Sequence, residues 1–381
     1  MTRTLLLSLF LPASASAADR VQEEVAGMMG VFYDLRLAEA RLAAEGLERR
    51  HPGHPAGAFF RGIEHYLSLL VEDPVSTGTV KEFLADMDRS ISAAEKNRDI
   101  APALAEYYLG AAHGFKARVA SMRGNWFDAV KGAREAIGHV KKAVELDPSL
   151  EDTYLGLGMY HYFLARMPAP AKPFAYLLAG LWGDAEKGLA ELERAAERSP
   201  IASSEALGVL SYIYGMREGK PEKADALLAR LVERHPRNPG YRIWRANLAA
   251  RQGRWKEADA FLDLDGAWWA GVSPEALRTG RPYAAYLSAE CLLMAKDAEG
   301  AQRRLALLDP ATAPGPLKDW ILLRRANLLD LKGRRGEALA LYRQAGGKAG
   351  EAAKAFLKSP FAGGGPRLRF FWPRTALPKE D

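Results

Sequence analysis

Seven histidines, a single cysteine and a scatter of carboxylates are the side chains in this 381-residue sequence equipped for acid–base or metal chemistry. His51 and His54, in Arg50-His51-Pro52-Gly53-His54-Pro55, stand three apart in a turn with no third ligand nearby. A zinc site takes three or four protein ligands, so a solvated loop is the better account of this pair. His65 and His161 each follow a small residue, Gly62 and Gly158, by three positions, which suits half-buried packing rather than ligation. His113, His139 and His235 lack acidic or cysteine companions at ligand spacing. The sequence contains no His-Glu-x-x-His, no Gly-x-Ser-x-Gly elbow and no phosphate-binding Gly-x-x-x-x-Gly-Lys-[Ser/Thr] loop. Gly156-Leu157-Gly158 has no strand before it, so it is not a dinucleotide fingerprint. Cys291, alone, excludes an internal disulfide and a cysteine-based zinc cluster. The expectation is no catalytic residue, no metal and no cofactor.

Binding is the better-supported chemistry. Arg245-Ala246-Asn247-Leu248 and Arg325-Ala326-Asn327-Leu328 share a pattern at equivalent places in two helices. If the alanines face inward, Asn247 and Asn327 are rotated about 100° away, toward a groove. Arg251, one turn after Asn247, and Arg324 join them. Asparagine with arginine grips a peptide backbone or a carboxylate; the alternative is that these residues cap neighbouring helices. A second candidate is aromatic, with Tyr154, Tyr160, Tyr162, Phe163, Phe174, Tyr176 and Trp182 close in sequence. It could line an apolar pocket for a lipid tail or a partner helix, or fill the core of an oversized repeat.

What must position these residues is a repeat. Gly124-Asn125-Trp126-Phe127-Asp128-Ala129 recurs as hexapeptides starting at Gly219, Gly253 and Gly333, with looser copies at Gly183 and Lys296. From Gly183 onward the starts lie 36, 34, 43 and 37 residues apart. The glycine ends one helix in a left-handed turn, the acid favours the positive end of the next helix, and the alanine lets the two helices approach. Ala117, Ala246 and Ala326 stand 12 residues before Ala129, Ala258 and Ala338, and Pro52, Pro148, Pro200 and Pro236 break the chain after second helices. No strand pattern interrupts this series.

A period near 34 with helix on both sides resembles the tetratricopeptide repeat. The resemblance implies an all-α solenoid of stacked antiparallel helix pairs, coiled as a right-handed superhelix over residues 18–360. The first helix of each pair would line its concave face. The Asn and Arg positions do not reproduce the Lys/Asn/Lys/Arg layout of carboxylate-clamp members. A proline-rich apolar insertion, 167–183, places Gly158 and Gly188 30 residues apart instead of 12. The helix after Asp128 is also about two turns longer than the repeat requires. With Thr153–Phe163 before the insertion and Gly180–Leu189 at its end, this is similar to the central repeat of the tetratricopeptide-repeat-39-like family and its bacterial relatives, over residues 140–240. That resemblance implies a helical-repeat adaptor with no catalytic residues to carry over.

The two ends differ from the body. Arg3, the apolar Leu5–Leu11 and the small residues Ala15 and Ala17 form a signal-peptide pattern, with cleavage after Ala17 and a periplasmic destination. Residues 361–381 are Gly/Pro-rich, then basic and aromatic, and could dock on the solenoid, a partner or an anionic membrane. No stretch of the mature chain approaches the ~20 apolar residues of a membrane span. The net charge of +6 is spread through mixed signs and does not mark a nucleic-acid binder. The sequence therefore predicts an exported, non-enzymatic scaffold holding a protein or peptide in its concave groove. A lipid carrier built on the aromatic cluster is the first alternative, and a helical-toroid enzyme with an unrecognised site the second.

Overall fold

The computed structural model describes residues 17–71, 76–167, 182–365 and 367. Among them are seventeen α-helices, one 3-10 turn at Ala267–Gly271, and no strand. The helices pack in consecutive pairs: α1 (Ala17–Tyr33) with α2 (Leu37–Arg50), α3 (Pro55–Val71) with α4 (Thr77–Lys96), and α5 (Pro102–Met122) with α6 (Trp126–Leu146). Next come α7 (Thr153–Ala165) with α8 (Ala185–Arg198), α9 (Ser203–Met216) with α10 (Pro221–Arg234), and α11 (Pro239–Arg251) with α12 (Trp255–Leu262). The array ends with α13 (Pro274–Met294) and α14 (Ala298–Ala306), α15 (Leu317–Leu331) and α16 (Arg335–Gln344), and α17 (Gly347–Lys358). No helix of the described residues is long and apolar enough to cross a membrane.

The recurring hexapeptide makes the turns inside the pairs. Gly124, Gly219, Gly253 and Gly333 have φ of +77°, +61°, +74° and +70°, the left-handed region that glycine enters without steric cost. Lys296 takes the same turn at φ +67°, with the strain a side chain brings there. The next helix is then started by a side-chain cap: Asn125 accepts from the Asp128 amide, Asp184 from Lys187 and Asp297 from Gly300.

Small residues set how closely the helices approach. Ala246, Ala258, Ala326 and Ala338 are fully buried. Gly158 and Gly188 face each other where α7 crosses α8, so the 30-residue separation in sequence closes in space. A Cβ on Gly188 would stand 2.5 Å from the Tyr162 amide nitrogen, and one on Gly158 2.8 Å from the Gly188 carbonyl. Neither position has room for alanine without a backbone shift.

The array also folds back on itself, which the repeat pattern does not predict. The corner between α1 and α2 is seated against the N-terminal ends of α9, α11 and α13. Leu35, at φ +56°, is buried among residues of the C-terminal core, and its carbonyl accepts from Ser273 Oγ at 2.7 Å. Tyr33 donates from its hydroxyl to the Ile201 carbonyl at 3.2 Å and accepts from Asn238 Nδ2 at its own carbonyl, at 2.6 Å. Arg118 on α5 pairs with Glu205 on α9 at 2.8 Å. Early first helices thus meet later first helices.

Candidate binding surfaces

Two of the four groove candidates lie in the core. Arg324 and Asn327 are both 0 % exposed. Arg324 donates to Glu290 Oε1 at 2.6 Å and to Asn327 Oδ1 at 3.1 Å. Asn327 donates to the Tyr342 hydroxyl at 2.8 Å, and that hydroxyl donates to Asp330 Oδ2 at 2.8 Å. Arg367 reaches the other Glu290 oxygen at 3.0 Å and the Ala250 carbonyl at 2.9 Å. The groove assignment for Arg324 and Asn327 is therefore corrected: Arg324 faces α13 and Asn327 faces α16, one side of α15 being given over to polar packing. The physical reason is Glu290, a buried carboxylate on α13 that requires a buried cation.

Asn247 is half-buried and donates to the Ile243 carbonyl on its own helix, at 3.1 Å, while Arg251 is exposed. The four residues do not form one surface. Of the aromatic candidates, Tyr162 is fully buried and donates to Glu218 Oε1 at 2.7 Å. Tyr160 is half-buried, with its hydroxyl accepting from the Trp182 amide at 3.3 Å and the Lys141 ammonium 4.7 Å above its ring. Trp182 is 70 % exposed. Phe174, and most of the insertion 167–183 with the apolar pocket expected there, lie outside the described residues.

The histidines take partners the sequence spacing did not reveal. His51 pairs with Glu24 at 2.8 Å, His161 with Glu191 at 2.5 Å, and His235 Nε2 meets Ser204 Oγ at 2.7 Å. Burial lowers the His54 and His235 pKa values to about 4, holding both imidazoles neutral. No group of three His, Cys, Asp or Glu side chains among the described residues is arranged to hold a metal ion. Burial also pushes the Cys291 thiol up, away from thiolate reactivity.

A different surface stands out, a cleft along α4, α5 and α6. It comprises two adjoining hollows of about 580 and 520 Å³ that share Lys131 and Glu135. The first is lined by Arg98, Lys131, Arg134, His139 and Lys142 around Glu106. Glu106 is only 1 % exposed, with His139 at 2.6 Å, Lys142 at 2.9 Å and Arg98 at 3.4 Å. Burial opposes its charge, but the hydrogen bonds from His139 and Lys142 and the nearby cations outweigh that, and the carboxyl sits below its usual range. His113 pairs with Glu135 at 2.9 Å, and its ring lies parallel to that of His139 at 5.6 Å. No serine, threonine, cysteine or tyrosine lines either hollow.

No protein-family model matches the chain, and no curated protein matches it either. The cleft must therefore be read from its own chemistry. Cations around one carboxylate that they already satisfy leave an anion-accepting surface. Sequence reading passed over it because its members come from three helices. The only linear signal was the unusual length of the helix that starts at Trp126.

Proposed function

We propose that the protein is a non-enzymatic helical-repeat scaffold of tetratricopeptide type, exported and trimmed after Ala17, that captures an acidic segment of a partner protein. The observation that carries this reading is the cleft of α4–α6, where the lining cations Arg98, Lys116, Arg123, Lys131, Arg134 and Lys142 outnumber the carboxylates Asp88, Glu106, Asp128 and Glu135. The repeat character is supported by four left-handed glycines at equivalent turns. Export is supported by the residue pattern before Ala17. The binding surface is the cleft, whose exposed cations are free of the α1–α2 corner that covers the N-terminal ends of α9, α11 and α13.

A labelled oligo-glutamate peptide, followed by fluorescence anisotropy at low and high salt, tests the binding reading. Lys131→Glu with Arg134→Glu should weaken capture about tenfold or more, because both side chains are exposed and contribute charge rather than packing. Equal affinity of the double variant and the unmodified protein would remove the cleft. N-terminal sequencing of the mature protein tests export, with Ala18 expected first and Met1 the result against it.

The paired imidazoles favour one second reading, an acid–base enzyme built on His113–Glu135 and His139–Glu106. It lacks a side-chain nucleophile in the cleft, and a hydrolytic activity abolished by His139→Gln is what would establish it.

A further inference from the structure

The α5–α6 hairpin carries an apolar group in water that neither repeat packing nor the cation-lined cleft uses. Trp126 is 68 % exposed, Phe127 80 % and Val130 68 %. They occupy the first turn of α6, immediately after the Gly124 turn. On a helix turning about 100° per residue, the three fall within an arc of roughly 100°, away from Ala129 and Gly132; that arc is exposed at the start of α6 and becomes buried two turns further on, at Ile137. Arg134 shares that arc, Lys131 borders it, and Arg123 stands at the turn, all three exposed. None of these three cations makes an ion pair among the described residues. One carboxylate stands at the tip, Asp128, held by Asn125 Nδ2 at 2.5 Å. Glu135 is turned toward His113 in the cleft.

We propose that this ridge docks the protein on an anionic phospholipid surface. Trp126, Phe127 and Val130 would enter the headgroup–acyl boundary while Arg123, Lys131 and Arg134 meet lipid phosphates. The argument is complementarity of shape and charge together. Tryptophan and phenylalanine on a ridge need an accommodating surface, and a bilayer interface offers one without a preformed groove. Basic residues within a turn of the apolar side chains supply the attraction that a short wedge lacks alone, about fivefold in affinity for each cation. The ridge uses described residues only, and does not depend on the scaffold reading.

Co-sedimentation of the full chain with vesicles decides it, comparing pure phosphatidylcholine with an equal mixture of phosphatidylcholine and phosphatidylglycerol. Binding to the mixed vesicles is expected, weakened by salt and much weaker on the neutral ones. Trp126→Ser with Phe127→Ser should lose at least tenfold of it and leave the thermal transition unchanged, since both side chains are exposed. Arg123→Glu should reduce binding to the mixed vesicles only. Equal pelleting of the double variant and the unmodified protein, or no pelleting of the unmodified protein, would overturn the proposal. So would sedimentation velocity showing a dimer that the double variant abolishes while vesicle binding is absent, because the ridge would then serve a second copy of the chain.

Discussion

Glu106 and Glu290 pose the same electrostatic problem and are given opposite solutions. Both carboxylates are at most 1 % exposed, and each is surrounded by cations. Around Glu106 the cations arrive from solvent, and the side chains of Arg98 and Lys142 are 44 % and 56 % exposed. Around Glu290 the first cation is internal: Arg324 is sealed with it, and Arg367 closes the open side. The first arrangement leaves a cleft with charge to spare. The second leaves nothing to bind with. A buried acid among arginines is therefore no sign of a site until it is known which end of each cation remains wet.

Breaking the sealed cluster should have the largest consequence. Arg324→Met leaves Glu290 as a buried charge short of its internal partner and should cost about 3–5 kcal/mol. Adding Glu290→Leu to the same chain should recover much of that, because the uncompensated charge goes with it; chemical denaturation of both variants checks the pair. Arg367→Ala removes a charge-assisted bond to Glu290 and a bond to the Ala250 carbonyl, with an expected loss of about 1.5–3 kcal/mol by the same measurement.

Acid sharpens the comparison through imidazoles. His235 is enclosed by Tyr33 and Ser204 with a pKa lowered to about 4, whereas His139 shares the buried Glu106 carboxylate with the exposed Lys142. A depressed histidine favours the fold while neutral, so this stability is fully present above the unfolded value near 6.5 and is lost as pH falls toward about 4. Between those limits the free energy of unfolding should drop, by about 1 kcal/mol for His235 after allowance for screening. His235→Gln should flatten that slope. The smallest effect belongs to the open cleft: Lys142→Met should change stability by less than about 1 kcal/mol, since an exposed ammonium leaves Glu106 its other partners.

The helix pairs were legible because one turn hexapeptide carries both a backbone demand and a packing demand. Gly253 and Ala258 could be placed from spacing alone, and so could the meeting of Gly158 with Gly188. Arg324 and Asn327 could not. Their polarity pointed to solvent, and only Glu290, 34 residues before Arg324, explains why they face the core. The same limit hid the cleft, which joins Arg98 from the α4–α5 turn with Glu106 on α5 and Lys142 on α6. Lys296 shows a turn surviving without its glycine, so the motif is read best from the acid and alanine that follow.

The seat of the α1–α2 corner changes how the molecule should come apart. An open array of repeats behaves as a row of neighbours, free to fray from either end and to melt in stages. Here Leu35 bonds to Ser273 across 238 residues of sequence, and Tyr33 to Asn238 across 205. Those ties make the first helix pair a neighbour of the fifth, sixth and seventh. Loosening α1 exposes the ends of α9, α11 and α13 together, so one cooperative transition replaces a sequence of local ones. The chain is linear in its repeats and circular in its thermodynamics.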